Sequence, residues 1–193
     1  MYKAVAVLGI CIGLVTGASA MMDATTYQID RAFSSAEIQH AFRGVTGRFA
    51  DYQGSFVYEP RHVEQSSIAW RLPIESLMVD NGWQSPSLKG SELFDVEAYP
   101  DIIFVSTRVQ NYGSMLKVTG QLSMLGVTRE VTFPVAVLGR GTHPESGLPI
   151  AGFETEFTIR LSDFNMNEKT NAAVILGDQI KFKLKMVGVG VPS

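Results

Sequence analysis

The sequence predicts an all-β protein: one antiparallel barrel of about eight strands, with a short helical plug near residues 85–95. Three observations carry this expectation. Apolar and polar residues alternate with a period of two over most of the chain from Tyr27 onward. Turn-forming residues interrupt the alternation at short intervals, which is the pattern of consecutive antiparallel strands. Glycines inside apparent strands, such as Gly54, mark the bulges and bends that let a sheet curl closed.

The elements follow in order. Tyr27 to Arg31 opens the domain. Ser35 to Phe42 alternates Ala36, Ile38, His40 and Phe42 against Ser35, Glu37, Gln39 and Ala41. Gly44 and Gly47 bend the chain before a strand from Phe49 to Tyr58 that Gly54 interrupts. Ser67 to Glu75 then places Ile68, Trp70, Leu72 and Ile74 on one dry face, with Pro73 marking an edge or bulge position.

Asn81 and Gly82 turn the chain toward the plug, whose entrance holds Trp83. Ser85 or Ser87 can cap the plug, Leu88, Leu93 and Phe94 give it an apolar side, and Pro100 stops it after Tyr99. A helical flap over the open end of a barrel and a plain helix packed on a sheet both fit this pattern. Past the proline the period returns to two, with Ile102, Phe104 and Ser106 on one face and Ile103, Val105 and Thr107 on the other.

Asn111, Tyr112 and Gly113 turn into Met115 to Met124, and Gly126 turns into Arg129 to Leu138. Gly139 to Gly147 reads as an exposed polar loop. Ile150 to Leu161 carries Phe153, Thr155, Phe157 and Ile159 on one face, and a second non-strand insertion runs from Ser162 through Gly177. Gln179 to Val187 closes the chain; Ile180, Phe182, Leu184 and Met186 face inward, and Lys181, Lys183 and Lys185 face solvent.

Composition narrows the functional classes. Residues 1–20 read as a secretory signal peptide, with Lys3 early, an apolar run from Ala4 to Val15, and the small residues Gly17, Ala18, Ser19 and Ala20 before cleavage. The competing reading, a retained membrane anchor, needs a longer apolar run. Cleavage after Ala20 predicts a periplasmic or secreted protein and removes Cys11, the only cysteine, so the mature chain 21–193 has neither a disulfide nor a thiol nucleophile. The whole chain carries 16 Lys and Arg against 19 Asp and Glu, a net charge of −3 that becomes −4 without Lys3. That mild, well-mixed acidity gives no basic stripe for nucleic acid.

Catalytic and metal motifs are missing. His40, His62 and His143 are isolated from one another and form no H-x-x-H or H-E-x-x-H cluster. No P-loop, G-x-S-x-G elbow or dinucleotide fingerprint occurs, so neither a cofactor nor a metal is expected. Asp95, Glu97 and Asp101 could supply acid and base groups beside the plug, but carboxylates in such a setting are more often solvated or bonded within turns.

Four ordered blocks carry a resemblance. They are GVTGRFADYQGSF (Gly44 to Phe56), LKGSELFDVEAYPDIIFVS (Leu88 to Ser106), VTGQLSMLGVTREVTFPV (Val118 to Val135) and IRLSDFNM (Ile159 to Met166). Together they resemble the YceI-like family of secreted, lipocalin-like bacterial proteins, over nearly all of Tyr27 to Met186. The chain departs from the family at Gln84, Ser85, Pro86 and Ser87, which stand where many members carry Arg-Asp-x-His, and at Asn165, where glycine usually follows Phe164.

The resemblance implies a lipocalin-like barrel whose apolar tunnel sequesters an isoprenoid tail of the quinone or polyprenol type, as a non-enzymatic binding or carrier protein. Strand phase then assigns Ile38, Phe42, Phe49, Phe56, Ile68, Trp70, Leu72, Leu88, Phe94, Ile102, Phe104, Leu122, Phe133, Phe157 and Phe182 to the tunnel. The partner expected is a hydrophobic small molecule, with transient membrane-surface contact and a homodimer left open. Two alternatives remain at this stage: an enzyme acting on a hydrophobic substrate, and a barrel whose core is filled and binds nothing.

Overall fold

The computed structural model describes residues 25–40, 46–79, 94–166 and 178–191, apart from the His40 side chain. The leader, the start of the plug and the insertion at 167–177 lie outside these residues, as do Phe42 and Leu88. Eleven strands are described: β1 (Thr25–Ile29), β2 (Ser35–His40), β3 (Thr46–Phe49), β4 (Gln53–Tyr58), β5 (Ser67–Pro73), β6 (Leu77–Val79), β7 (Asp101–Tyr112), β8 (Met115–Met124), β9 (Val127–Thr142), β10 (Pro149–Arg160) and β11 (Gln179–Gly190). Eight of them form a closed antiparallel barrel in the order β1-β4-β5-β7-β8-β9-β10-β11, with β11 returning to β1. The expected fold class is therefore correct.

The remaining three strands extend the wall. β11 pairs with β1 through Gly188, Val189 and Gly190, and with β2 through Ile180 to Lys185, so one strand serves two partners in succession. β2 continues to β3 and β3 to β6. The expected single strand from Phe49 to Tyr58 is in fact two, β3 and β4, separated by residues 50–52. Phe49 and Phe56 are both buried although an odd number of positions separates them, and a continuous strand would send them to opposite faces.

Breaks between β1 and β2, between β3 and β4, and between β5 and β6 lie side by side and are bonded to each other. The Tyr52 hydroxyl donates to the Ser34 and Arg31 carbonyls, at 2.5 and 3.1 Å. Arg31 pairs with Asp51 at 2.9 Å and donates to the Ala50 carbonyl. Ser76 donates to the Asp51 carbonyl at 3.0 Å, and its own carbonyl accepts from the Ala50 N–H at 2.9 Å. Burial pushes the Tyr52 hydroxyl above the usual tyrosine pKa; Arg31 opposes that shift and Asp30 adds to it.

Two bulges interrupt the alternation. On β7 the register shifts between Ser106 and Arg108, so Val109, fully buried, joins the inner face five residues after Phe104. Between β9 and β10 the register shifts at Gly152 and Phe153; Gly139 and Val137 are the partners there, and Leu138 is left out and exposed. The expected loop at 139–147 is shorter than its polarity suggested, because β9 stays paired through Thr142 opposite Pro149.

Where the expected plug ends, Phe94 is buried, but residues 94–98 form a turn in which the Asp95 carbonyl accepts from the Ala98 and Tyr99 N–H groups. After β10 a single 3-10 turn, Leu161–Phe164, is capped by Asp178, whose carboxylate accepts from the Ser162 N–H and hydroxyl at 2.8 and 2.9 Å. Asn165 follows at φ 60°, a left-handed conformation that asparagine tolerates better than most residues.

Candidate functional site

The inner wall is apolar from every strand of the barrel. Leu72, Ile102, Leu122, Met124, Ile159 and Ile180 line one end, and Tyr27, Phe56 and Phe153 close the other. Tyr27 stacks on Phe56 at 4.8 Å between centroids, and Phe153 meets Phe56 edge-on at 4.8 Å and Tyr58 at 5.1 Å. Among the described residues Glu59 is the one buried side chain with a formal charge, and it sits beyond β4 and accepts the Arg61 N–H. The Thr155 hydroxyl, which does point inward, is consumed by the Pro134 carbonyl at 2.6 Å.

Between the two ends five aromatic rings from five strands form a closed circuit. Trp70 stacks on Phe104 at 5.4 Å, and Phe104 tilts against Phe133 at 5.0 Å. Phe133 stacks on Phe157 at 4.3 Å and Phe157 on Phe182 at 5.1 Å, with planes within 10° of parallel in both pairs. Phe182 returns to Trp70 at 6.5 Å. β8 contributes no ring to this collar, and Gly120 explains the omission. A Cβ there would lie 2.5 Å from Phe104 Cζ and 2.4 Å from the Val105 carbonyl oxygen, so only glycine lets the Phe104 ring cross β8 toward Phe133.

Burial within the collar is uneven. Trp70, Phe104, Phe133 and Phe182 are 3%, 0%, 2% and 1% exposed, whereas Phe157 is only partly buried. Phe157 shares its face of β10 with the buried Thr155 and Ile159, while Glu156 and Thr158 are exposed, and it lies past Glu154, the last β10 residue paired with β9.

Most of the residues assigned to the tunnel from sequence lie together in the interior. Ile38, Phe49, Phe56, Trp70, Leu72, Phe94, Ile102, Phe104, Leu122, Phe133 and Phe182 are buried in one core, with Ile68 and Phe157 packed against it and partly accessible. Phe42 and Leu88 lie outside the described residues. Sequence reasoning missed Tyr27, Phe153 and Val109: Phe153 shares its phase with Phe157 and was within reach of the pattern, but Val109 depends on the bulge.

It also missed Arg129, which pairs with the inward-facing Leu122 yet is exposed and donates from Nε to the Asp163 carbonyl at 2.9 Å, placing a cation at the rim. The carboxylates suspected of acid–base work differ in their surroundings. Asp101 pairs with Arg71 at 2.9 Å, Glu97 is exposed, and Asp95 sits in the turn at φ 42°. Among the described residues no three His, Cys, Asp or Glu side chains form a cluster able to hold a metal ion.

Comparison with known proteins agrees with this architecture. A sequence model described as the YceI-like domain matches residues 27–188. A UPF0312 protein of Enterobacter sp. (strain 638) is 32% identical over 164 residues, covering 82% of this chain and 85% of that protein. Protein YceI of Salmonella newport (strain SL254) is 32% identical over 148 residues, covering 74% and 77%. Among solved structures, BcnA of Burkholderia cenocepacia superimposes with a TM-score of 0.73 at 23% identity, covering 82% of this chain and 98% of that one. A YceI protein of Campylobacter jejuni gives 0.68 at 22% identity, covering 76% and 85%.

Proposed function

Because this chain belongs to the YceI-like family, we propose that it binds an amphipathic isoprenoid lipid, of the quinone or polyprenol type, inside its barrel, as a periplasmic carrier rather than an enzyme. The observation that carries this reading is Phe157. An aromatic ring on the inner wall, stacked on two sealed neighbours, retains surface that an apolar guest can cover. The wall around it offers carbon and satisfied hydroxyls, so it favours a hydrocarbon chain over a polar substrate.

Burial supplies the affinity. Each methylene removed from water contributes about 0.8 kcal/mol, so a chain of several isoprene units is held without any specific polar contact. The polar head then belongs at the rim, near Arg129 and the Leu161–Phe164 turn. Cleavage of the leader after Ala20 would deliver the mature chain to the compartment where such lipids partition between protein and membrane surface.

The test uses mature protein purified without detergent. Organic extraction followed by mass spectrometry should release a prenyl lipid, and delipidated protein should take up added quinone. Protein that carries no prenyl lipid and takes up no quinone would overturn the proposal.

A further inference from the structure

A second apolar surface lies on the outside of the barrel, where the barrel closure gives no reason for it. The solvent face of β11 begins Lys181, Lys183, Lys185 and then changes to Val187 and Val189. Lys181 is paired with Glu156 at 2.7 Å, and that bond holds the Glu156 carboxyl below its ordinary pKa. Among the described residues Lys185 has no ion-pair partner; Glu154 stands opposite it in register without forming one.

Val187 and Val189 form the floor of a groove of about 550 Å³. One wall is the bend between β1 and β2, with Ala32, Phe33 and Ser34; the other is Ile150 with His143 and Pro144 of the β9–β10 loop. The volume falls within the usual range of small-molecule sites, and the lining is mostly apolar with a few polar groups, as such sites are.

The walls are held in place by bonds already made. The Ser34 hydroxyl accepts the Val187 N–H at 2.9 Å and donates to the Asp30 carbonyl at 2.6 Å, at the point where β11 exchanges β2 for β1. His143 Nδ1 accepts the N–H groups of Glu145 and Ser146 at 3.3 and 3.2 Å, which leaves its Nε2 to carry the proton and act as a donor. Phe33 is 56% exposed, an unusual investment of aromatic surface in solvent. The polar side-chain groups of the lining not consumed internally are thus the Lys185 cation, the Ser35 hydroxyl opposite it in register, and a donor at His143.

We propose that this groove is an exterior binding site, distinct from the lumen, for an amphipathic carboxylate. The hydrocarbon chain lies over Val187 and Val189 between Phe33 and Ile150, and the carboxylate meets Lys185. Four residues of strand, roughly 13 Å, separate Lys185 from Val189, which suits an extended medium-chain tail. Charge complementarity favours an anion: Lys185 carries the one charge in the lining, and His143 Nε2 and the Ser35 hydroxyl can donate to the head group.

The experiment is a titration of isotopically labelled mature protein followed by amide NMR, with decanoate as the probe and decyltrimethylammonium as its charge-reversed counterpart. Decanoate should shift the amides of Phe33, Lys185, Val187 and Val189 in a saturable way, and the ammonium probe should do so more weakly. Lys185→Glu should weaken decanoate by up to about five-fold, the scale of a solvent-exposed ion pair. Val189→Asp should abolish the groove shifts; Lys185→Glu, at an exposed position, keeps the test informative if the valine variant folds poorly. Decanoate shifts confined to inward positions such as Leu122 and Phe182, equal response to both head groups, or an unchanged affinity in Lys185→Glu would overturn the proposal. Because the lumen is read by separate amides, failure here is distinguishable from failure of lipid binding inside.

Discussion

The collar makes opposite demands on two phenylalanines, and truncating each to alanine separates them. Phe104 is fully buried and touches Trp70 and Phe133, so Phe104→Ala removes a sealed ring from a packed site. Such changes cost about 3–5 kcal/mol, which in a chain of this size lowers the melting temperature by roughly 6–20 °C at 2–4 °C per kcal/mol. Phe157→Ala removes two stacking contacts of about 0.5–1.5 kcal/mol each from a ring that is only partly covered, so the loss should be nearer 2 kcal/mol and 4–8 °C.

Ligand response should run the other way. Phe157 presents the accessible surface, so its truncation should alter quinone uptake more than an equal loss of stability elsewhere would. Thermal melts by circular dichroism, paired with quenching of tryptophan fluorescence by added quinone, measure both effects on the same samples. If Phe157→Ala melts as low as Phe104→Ala while taking up quinone like the unaltered protein, the ring does not face the lumen and the assignment fails.

Two further expectations concern the frame. Gly120→Ala should destabilise the barrel by about 1–3 kcal/mol, because the new methyl meets both the Phe104 ring and an immovable backbone oxygen; a melt unchanged within error would mean that β7 and β8 can separate there freely. Tyr52→Phe should cost about 1 kcal/mol, since two carbonyls lose their donor. The folded-state pKa of Tyr52 is raised, so the stability it contributes is complete below the unfolded value near 10 and is lost as pH rises through the folded value. Denaturant titrations between pH 8 and 11 should therefore show a steeper alkaline decline in the unaltered protein than in Tyr52→Phe, and parallel profiles would refute that account.

Much of this architecture was legible in the chain. Alternation revealed the inner face of β5, β10 and β11, and the three lysines of β11 fixed its phase. Where the reading failed, a local irregularity had exchanged the faces. The bulge beside Ser106 brings Val109 inward, and the break after Phe49 restores Phe56 to the core. Polarity misled in the β9–β10 hairpin, where a glycine-rich, hydrophilic stretch remains strand because β10 supplies every partner through Thr142. The collar itself was beyond reach: its members were each assigned to the interior, but their closure into a circuit depends on a glycine opposite and on distances between strands far apart in sequence.

The line of breaks at residues 30–34, 50–52 and 74–76 has a mechanical meaning. A cylinder with all its strands continuous must share its bending among them, whereas this wall is creased like folded card, with β2, β3 and β6 forming a panel beyond the crease. Among the described residues the ladder bonds hinge that panel to the rest through β11 alone, and Tyr52, Arg31 and Ser76 act as its brackets. The angle of the panel, and with it the girth of the vessel on that side, is therefore set by a handful of side chain to carbonyl bonds that contribute nothing to the lining.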